Sequence, residues 1–296
     1  MKISVVGAGV MGARVTEVFL KSNHDVMLID KNPDHLDSSL NRIVADLLTG
    51  IEKGKLTDAD KENALNNLTM STKLSDVAGS VFVLECINED LEAKNSLIQT
   101  MDKYLSTGCI IGTNTSGLPI SEIARSVPSR SAKIVGVHFF NPAHILKLVE
   151  VTRTITTDEE SIDYVVDLMK DVGKHPIVVN EGAGSVVNRI LIPEINEAVS
   201  CYADNIASPS DIDRAMQLGA GMKVGPLHTA DLVGLDDILS DLSNLYEETG
   251  DAKYRPHPLL RKMVRAGLLG QKSGRGFFTY RYPYGPEVPG GELTIK

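Results

Sequence analysis

The stretch that most constrains this chain is the one that opens it. Ile3-Ser4-Val5-Val6 is a short apolar run, it ends in Gly7-Ala8-Gly9-Val10-Met11-Gly12, and from Val10 to Leu20 apolar residues recur at helical spacing. Strand, glycine turn and helix in that order are the context that a dinucleotide-binding fingerprint requires. Gly7 permits the tight turn, Gly9 lets the backbone approach a pyrophosphate, and Gly12 lets the helix pack on the strand. The helix start at Val10 and Met11 then offers free N–H groups and a positive dipole end to the phosphates. The acidic partner of this motif is Asp30, closing Val26-Met27-Leu28-Ile29 eighteen residues beyond Gly12. A carboxylate there accepts hydrogen bonds from ribose hydroxyls and repels a 2′-phosphate, which favours NAD over NADP.

The remainder of the first half continues the alternation. Residues 34–68 have helical periodicity with a break at Gly50-Ile51-Glu52-Lys53-Gly54-Lys55 and a helix start at Thr57-Asp58-Ala59-Asp60, the pattern of an inserted helical hairpin. Lys53 and Lys55 in its turn, with Lys61 nearby, form a local ammonium cluster suited to a polyanion such as the nucleotide end of coenzyme A; a solvated loop is the blander account. Apolar β-runs follow at 81–85, 109–113 and 133–137, separated by helical segments, with a further strand at Pro176-Ile177-Val178-Val179. Such alternation predicts an α/β domain with a mostly parallel sheet covered on both faces, whose ligands lie beyond the carboxyl ends of the strands. Those ends carry Asn88-Glu89-Asp90, Asn114-Thr115-Ser116, and His138 with Asn141. From Val186 onward the β-signals nearly vanish, and wide apolar helix faces suited to closing a cleft or dimerising take over. The division expected is a nucleotide-binding domain over 1–182 and an all-helical domain over 183–296. The tail 281–296 holds too much proline and glycine for a regular element.

Two β-rich runs near the middle each carry one ionisable group, His138 after Ile134-Val135-Gly136-Val137 and Glu150 within Leu148-Val149-Glu150-Val151. Imidazole takes and returns a proton near neutral pH, and a carboxylate on its other nitrogen fixes the tautomer and stabilises the imidazolium. A strand-end histidine and a solvated strand glutamate are the alternative. The net charge of −9 argues against a nucleic-acid partner or a membrane surface. With no apolar stretch long enough to span a bilayer, the cytosol is the expected location. Cys86, Cys109 and Cys201 are widely spaced and the histidines unclustered, so neither a disulfide framework nor a metal site is expected.

Taken together, Gly7 to Gly12, Glu85-Cys86-Ile87-Asn88-Glu89-Asp90, Asn114-Thr115-Ser116, His138-Phe139-Phe140-Asn141-Pro142, Val187-Asn188-Arg189 and Lys272-Ser273-Gly274-Arg275-Gly276-Phe277 form an ordered set of blocks. In them the chain resembles the short-chain L-3-hydroxyacyl-CoA dehydrogenases, in particular the bacterial 3-hydroxybutyryl-CoA dehydrogenases, over residues 1 to 280. The resemblance implies a Rossmann domain, an all-helical dimerisation domain, a homodimer, and reversible NAD-dependent oxidation of a 3-hydroxyacyl thioester. It implies that His138 is the base, that Glu150 orients it, and that Ser116 and Asn188 hydrogen-bond the substrate oxygen. By the same resemblance Asn141 lies between nicotinamide and substrate, and Glu89, Lys94, Asn114 and Lys272 line the cofactor site.

Two stretches depart from the family pattern. A proline-glycine-phenylalanine run usual before Asn188 is replaced by Gly182-Ala183-Gly184-Ser185-Val186-Val187, and Gly221-Met222-Lys223-Val224-Gly225-Pro226-Leu227 replaces a segment that usually holds a further proline. Both changes predict an acyl pocket reshaped for a polar or carrier-protein-tethered acyl group. The competing readings are a hydroxyacid dehydrogenase with a catalytic lysine near the start of the helical domain, where Asn188-Arg189 stands here, and an NAD-binding structural or sensor protein without turnover.

Overall fold

A computed structural model of the chain describes residues 1–294. It separates into two compact units, Met1–Ser185 and a second from Val186 onward. Among the described residues no helix is long and apolar enough to cross a membrane.

The first unit runs β1 (Lys2–Val6), α1 (Val10–Leu20), β2 (Asp25–Ile29), α2 (Pro33–Glu52), α3 (Asp58–Asn66), β3 (Leu68–Ser71), β4 (Phe82–Glu85), α4 (Leu91–Asp102) and β5 (Ile110–Thr113). It continues through α5 (Ile120–Arg125), β6 (Ile134–Phe139), β7 (Leu148–Arg153), α6 (Glu159–Asp171) and β8 (His175–Asn180). All eight strands form one sheet in the order β3-β2-β1-β4-β5-β6-β7-β8. The strands β1 to β6 are mutually parallel, β7 turns back antiparallel to β6, and β8 is parallel to β7. Apolar side chains alternate to both faces, so Ile3, Val5 and Leu84 enter one core with α1, α2 and α6, while Val6, Val83 and Ile111 enter another. Burial on both faces is the reason these strands read as continuous apolar runs.

Local signals place the helices. Asn32 accepts from Asp34 N–H to cap α2, and Thr57 and Asp60 form a reciprocal capping box that starts α3, so the inserted hairpin is present. One strand stands at the end of the span 34–68 for which helix is expected: β3 pairs with β2 from Val26↔Leu68 to Ile29↔Ser71. It is a four-residue edge strand with no fully buried side chain, so it lacks the apolar run that marks its neighbours.

The second unit comprises α7 (Val187–Ala203), α8 (Pro209–Ala220), α9 (Pro226–Val233), α10 (Leu235–Thr249) and α11 (Pro258–Arg265), then β9 (Phe278–Tyr280) and β10 (Glu287–Glu292). The last strand corrects the expectation of an irregular tail, since Glu287 and Glu292 pair with Tyr280 and Phe278 across a bulge. Ile295 and Lys296, also within that expectation, lie outside the described residues. Two buried carboxylates organise this unit. Asp231 accepts from Phe277 N–H at 3.0 Å, Phe278 N–H at 2.9 Å and the Tyr280 hydroxyl at 3.1 Å, while burial raises its pKa to about 6. A Cβ at Gly276 would stand 2.0 Å from Asp231 Oδ1, which explains the glycine in the block Lys272 to Phe277.

The second carboxylate, Asp213, accepts from the Leu227 and His228 N–H groups at 2.8 Å and holds His228 Nδ1 at 2.6 Å. Glu287 of β10 takes Nε2 at 2.9 Å, and the ring stacks on Phe278 at 3.6 Å between centroids. Burial works against the imidazolium, but the hydrogen bonds to Asp213 and Glu287 outweigh it and raise His228 to about 9. A raised folded-state pKa contributes stability that is complete below the unfolded value of 6.5 and is lost as pH rises through about 9. The difference in melting temperature between wild type and His228→Gln should therefore be largest below pH 6.5 and shrink above about 9. Subtracting the variant matters because Lys174, lowered by burial to about 8, changes stability with the opposite slope. A difference that stays constant across that range would assign the ring a packing role only.

Candidate active site

The order of the sheet reverses between β1 and β4, and such a reversal leaves a crevice beyond the carboxyl ends of the strands. The glycine turn sits there for steric reasons that can be read residue by residue. Gly7 has φ +108°, and a Cβ on it would lie 2.6 Å from Cys86 O; one on Gly12 would lie 1.8 Å from Gly7 O. Gly9 differs, because a Cβ there would meet nothing within 4 Å. No side chain caps α1 at Gly9, so the first-turn N–H groups of Val10 and Met11 have no capping acceptor.

At the end of β2, Asp30 accepts from Ala8 N–H at 2.8 Å through Oδ2 and from Asn32 N–H at 2.9 Å through Oδ1. His35 Nδ1 is a further 3.3 Å neighbour of Oδ1. An ionised carboxylate has about four acceptor positions, so these bonds fix the group against the turn and leave capacity for ribose hydroxyls.

His138 and Glu150 come together through the register of one antiparallel pair. The strands β6 and β7 place His138 directly opposite Glu150, with Nδ1 3.1 Å from Oε2. Glu150 is fully buried and His138 is 8% exposed, so the pair is largely shielded from water. Phe140 packs at 4.4 Å between ring centroids. With Nδ1 held by the carboxylate, Nε2 is the nitrogen left to exchange a proton.

Around this pair the ends of β4, β5 and β6 are tied to one another. Asn114 Oδ1 accepts from Phe139 N–H at 2.9 Å, clamping β5 to β6. Glu89 accepts from Thr115 Oγ1, from Ser116 N–H at 2.9 Å and from Gly117 N–H at 3.1 Å, whereas the Ser116 hydroxyl has only a 3.5 Å contact with it. Lys94 is buried, with its ammonium on Glu85 at 2.7 and 2.9 Å and 3.4 Å from Glu89. Asn141 follows in the loop after β6 and accepts from Arg14 of α1. Lys53 and Lys55 are exposed in the turn between α2 and α3. Asn188 and Lys272 belong to the second unit, where Asn188 donates to Asp241 at 3.3 Å and Lys272 pairs with Asp236 at 2.6 Å and Asp237 at 2.8 Å.

Three participants have no role assigned from the sequence: Glu85, Thr115 and Arg14. Glu85 and Thr115 stand within the blocks at the ends of their strands, whereas Arg14 has no such marker. Burial drives the Cys86 thiol far above its ordinary value and Cys109 up to about 11, which keeps these two as thiols near neutral pH.

Comparison with known proteins adds identity to this geometry. Residues 2–182 match the 3-hydroxyacyl-CoA dehydrogenase NAD-binding domain and residues 184–280 match the C-terminal domain of the same family. The chain is 42% identical over 280 residues to a 3-hydroxybutyryl-CoA dehydrogenase of Clostridioides difficile, covering 95% of this chain and 99% of that protein. Rat mitochondrial hydroxyacyl-coenzyme A dehydrogenase is 36% identical over 288 residues, 94% of this chain and 91% of that one. The crystal structure of (S)-3-hydroxybutyryl-CoA dehydrogenase from Ralstonia eutropha superposes with a TM-score of 0.90 at 38% identity, covering 94% and 98% of the two chains. The chain belongs to the 3-hydroxyacyl-CoA dehydrogenase family.

Proposed function

We propose that this protein catalyses the NAD-dependent interconversion of a 3-hydroxyacyl-CoA and the corresponding 3-ketoacyl-CoA, with His138 exchanging the proton. The observation that carries the reading is His138 Nδ1 at 3.1 Å from a fully buried Glu150, on the same mostly parallel sheet whose first strand ends in the glycine turn. The residues present fit NAD: the open side of Gly9, the first-turn N–H groups of Val10 and Met11, and Asp30 would hold its pyrophosphate and ribose. When bound, NAD supplies the hydride acceptor.

The chain's own residues handle the proton. In the oxidising direction His138 Nε2 takes the proton of the substrate hydroxyl, and Glu150 stabilises the imidazolium across Nδ1–H, so alkoxide charge need not accumulate. In the reducing direction the imidazolium returns that proton to the ketone oxygen. Ser116 and Asn188 are assigned to hydrogen bonds with that oxygen, and Asn114, Glu89 and Lys94 to shaping the nicotinamide side, as the family blocks imply. By the same resemblance Asn141 is assigned to the nicotinamide and substrate, and Lys272 to the cofactor. Lys53 and Lys55 offer exposed ammonium groups to the phosphates of coenzyme A.

Loss of NADH absorbance on mixing with acetoacetyl-CoA, measured beside polar and carrier-protein-linked ketoacyl thioesters, tests the reading. The sample's mass is set first by light scattering, where the proposed homodimer gives twice the chain mass; Ile190 at 66% and Leu218 at 80% exposure supply apolar surface for a second copy. Turnover of the CoA thioester is the expected result. Its absence with every thioester, while NADH still binds, would leave the sensor reading in its place.

A further inference from the structure

Glu17 on α1, Asp46 on α2 and His144 in the loop after β6 are far apart in the chain, yet one ligand atom from each lies within 4.8 Å of the others. Glu17 is 1% exposed, and its Oε2 has no hydrogen-bond partner among the described residues. Asp46 Oδ2 and His144 Nδ1 are likewise buried and without a hydrogen bond, although they stand only 4.0 Å apart. Buried polar atoms are almost always satisfied, so three residues that converge here, each with an orphaned polar atom, leave a place for an ion or water among them.

We propose that Glu17, Asp46 and His144 form a binding site for one divalent transition-metal ion, with zinc the best fit. One imidazole nitrogen and two carboxylate oxygens are a donor set that suits zinc better than magnesium or calcium, which take oxygen ligands. In a tetrahedral shell with bonds of about 2.0–2.1 Å the ligand atoms stand about 3.4 Å apart, so closure onto a metal needs a contraction of roughly 1 Å. Asp46 and His144 can supply it, because their side chains are 25% and 17% exposed and sit at the rim, whereas Glu17 is the fixed inner ligand. The same exposure gives an ion access from solvent.

The neighbouring cations bear on the balance. Lys21 Nζ lies 3.5 Å from Glu17 Oε1 and is 34% exposed, so it can withdraw to water when a dication neutralises the carboxylate. Arg14 borders the cluster with Nη1 engaged on Asn141, while its buried Nε has no hydrogen bond and adds positive charge that a bound ion must offset. Lys174 donates to the carbonyls of Ala143 and Leu146 at the loop backbone. The site would therefore join α1 and α2 to the loop that carries Asn141, giving the metal a structural role beside the active site. The sequence carries no hint of such a site, since residues 17, 46 and 144 have none of the short spacing by which metal sites are read.

The test uses the full chain, stripped with a chelator and titrated with ZnCl₂, CoCl₂ and MgCl₂ by calorimetry, with cobalt followed by its ligand-field absorption. The expected result is one zinc per chain with a dissociation constant near or below ~1 μM, no magnesium binding at that level, and a zinc-dependent rise in melting temperature. Asp46→Asn and His144→Asn, chosen because the rim positions tolerate substitution, should weaken zinc by about 100-fold or more and change the cobalt spectrum. Stoichiometric binding that is unchanged in both variants would place the ion elsewhere and overturn the proposal. So would the absence of binding to a wild-type chain that still binds NADH, a result that leaves a water-filled cluster and leaves the proposed dehydrogenase activity untouched.

Discussion

His138→Ala lowers kcat by about 10²- to 10⁴-fold and leaves NADH affinity near the wild-type value, because the lost group acts on the proton and the cofactor is held elsewhere. The elements that would grip the dinucleotide, Gly7 to Gly12 and Asp30, are tied to one another and to β1, β2 and β4 without help from the imidazole. Glu150→Gln is the companion variant. It keeps the shape of a fully buried side chain but replaces the carboxylate at Nδ1 with a neutral amide, which removes the charge that stabilises the imidazolium. Its kcat should fall less than that of His138→Ala, with KM and NADH affinity preserved, and the two losses should combine far short of multiplicatively because both act through one ring. Stopped-flow measurement of NADH oxidation with acetoacetyl-CoA, beside equilibrium NADH binding, separates these effects. If His138→Ala lost NADH binding, the ring would have a structural role; if it kept kcat within about tenfold, the proton would travel by another route.

How far the sequence alone reaches depends on what kind of signal each feature leaves. The fingerprint, the helical hairpin and the parallel strands were legible because each is written in neighbouring residues: glycine spacing, a Thr57/Asp60 capping box, apolar runs. His138 and Glu150 were legible as a candidate pair from their chemistry and from the resemblance, but the register that sets them opposite one another, across an eight-residue loop and a strand reversal, is stated by no local pattern. The edge strand β3 and the tail strand β10 were missed for a common reason. Both are stabilised by what they pair with, β2 in one case and β9 with Asp231 and His228 in the other, and not by their own composition. Lys94 shows the converse limit. The resemblance puts it at the cofactor site, yet only coordinates reveal an ammonium that is buried on Glu85 and stands 3.4 Å from Glu89. The cluster of Glu17, Asp46 and His144 has no sequence signature at all, because three separate elements contribute one atom each.

The glycine turn offers the sharpest separation between stability and binding. Gly12→Ala puts a methyl carbon 1.8 Å from Gly7 O and 3.6 Å from Cys86 Cβ, both on rigid elements, so α1 must move off β1. Such overpacking against backbone costs about 2–4 kcal/mol, and in a unit of this size the melting temperature should fall by roughly 5–15 °C. Gly9→Ala should do the opposite. Its φ of −75° and ψ of −171° are ordinary for alanine, and the added methyl meets no protein atom within 4 Å, so stability should stay within about 0.5 kcal/mol of wild type. What the methyl does occupy is the space through which a pyrophosphate would approach the backbone, and NADH affinity should drop by about 100-fold or more. Thermal melts and NADH titrations on the two variants therefore predict a crossed pattern, one protein unstable and the other stable but unable to hold its nucleotide. Were Gly9→Ala to bind NADH as wild type does, that open face would have some purpose other than the dinucleotide, and the reading of the crevice would have to begin again from Asp30.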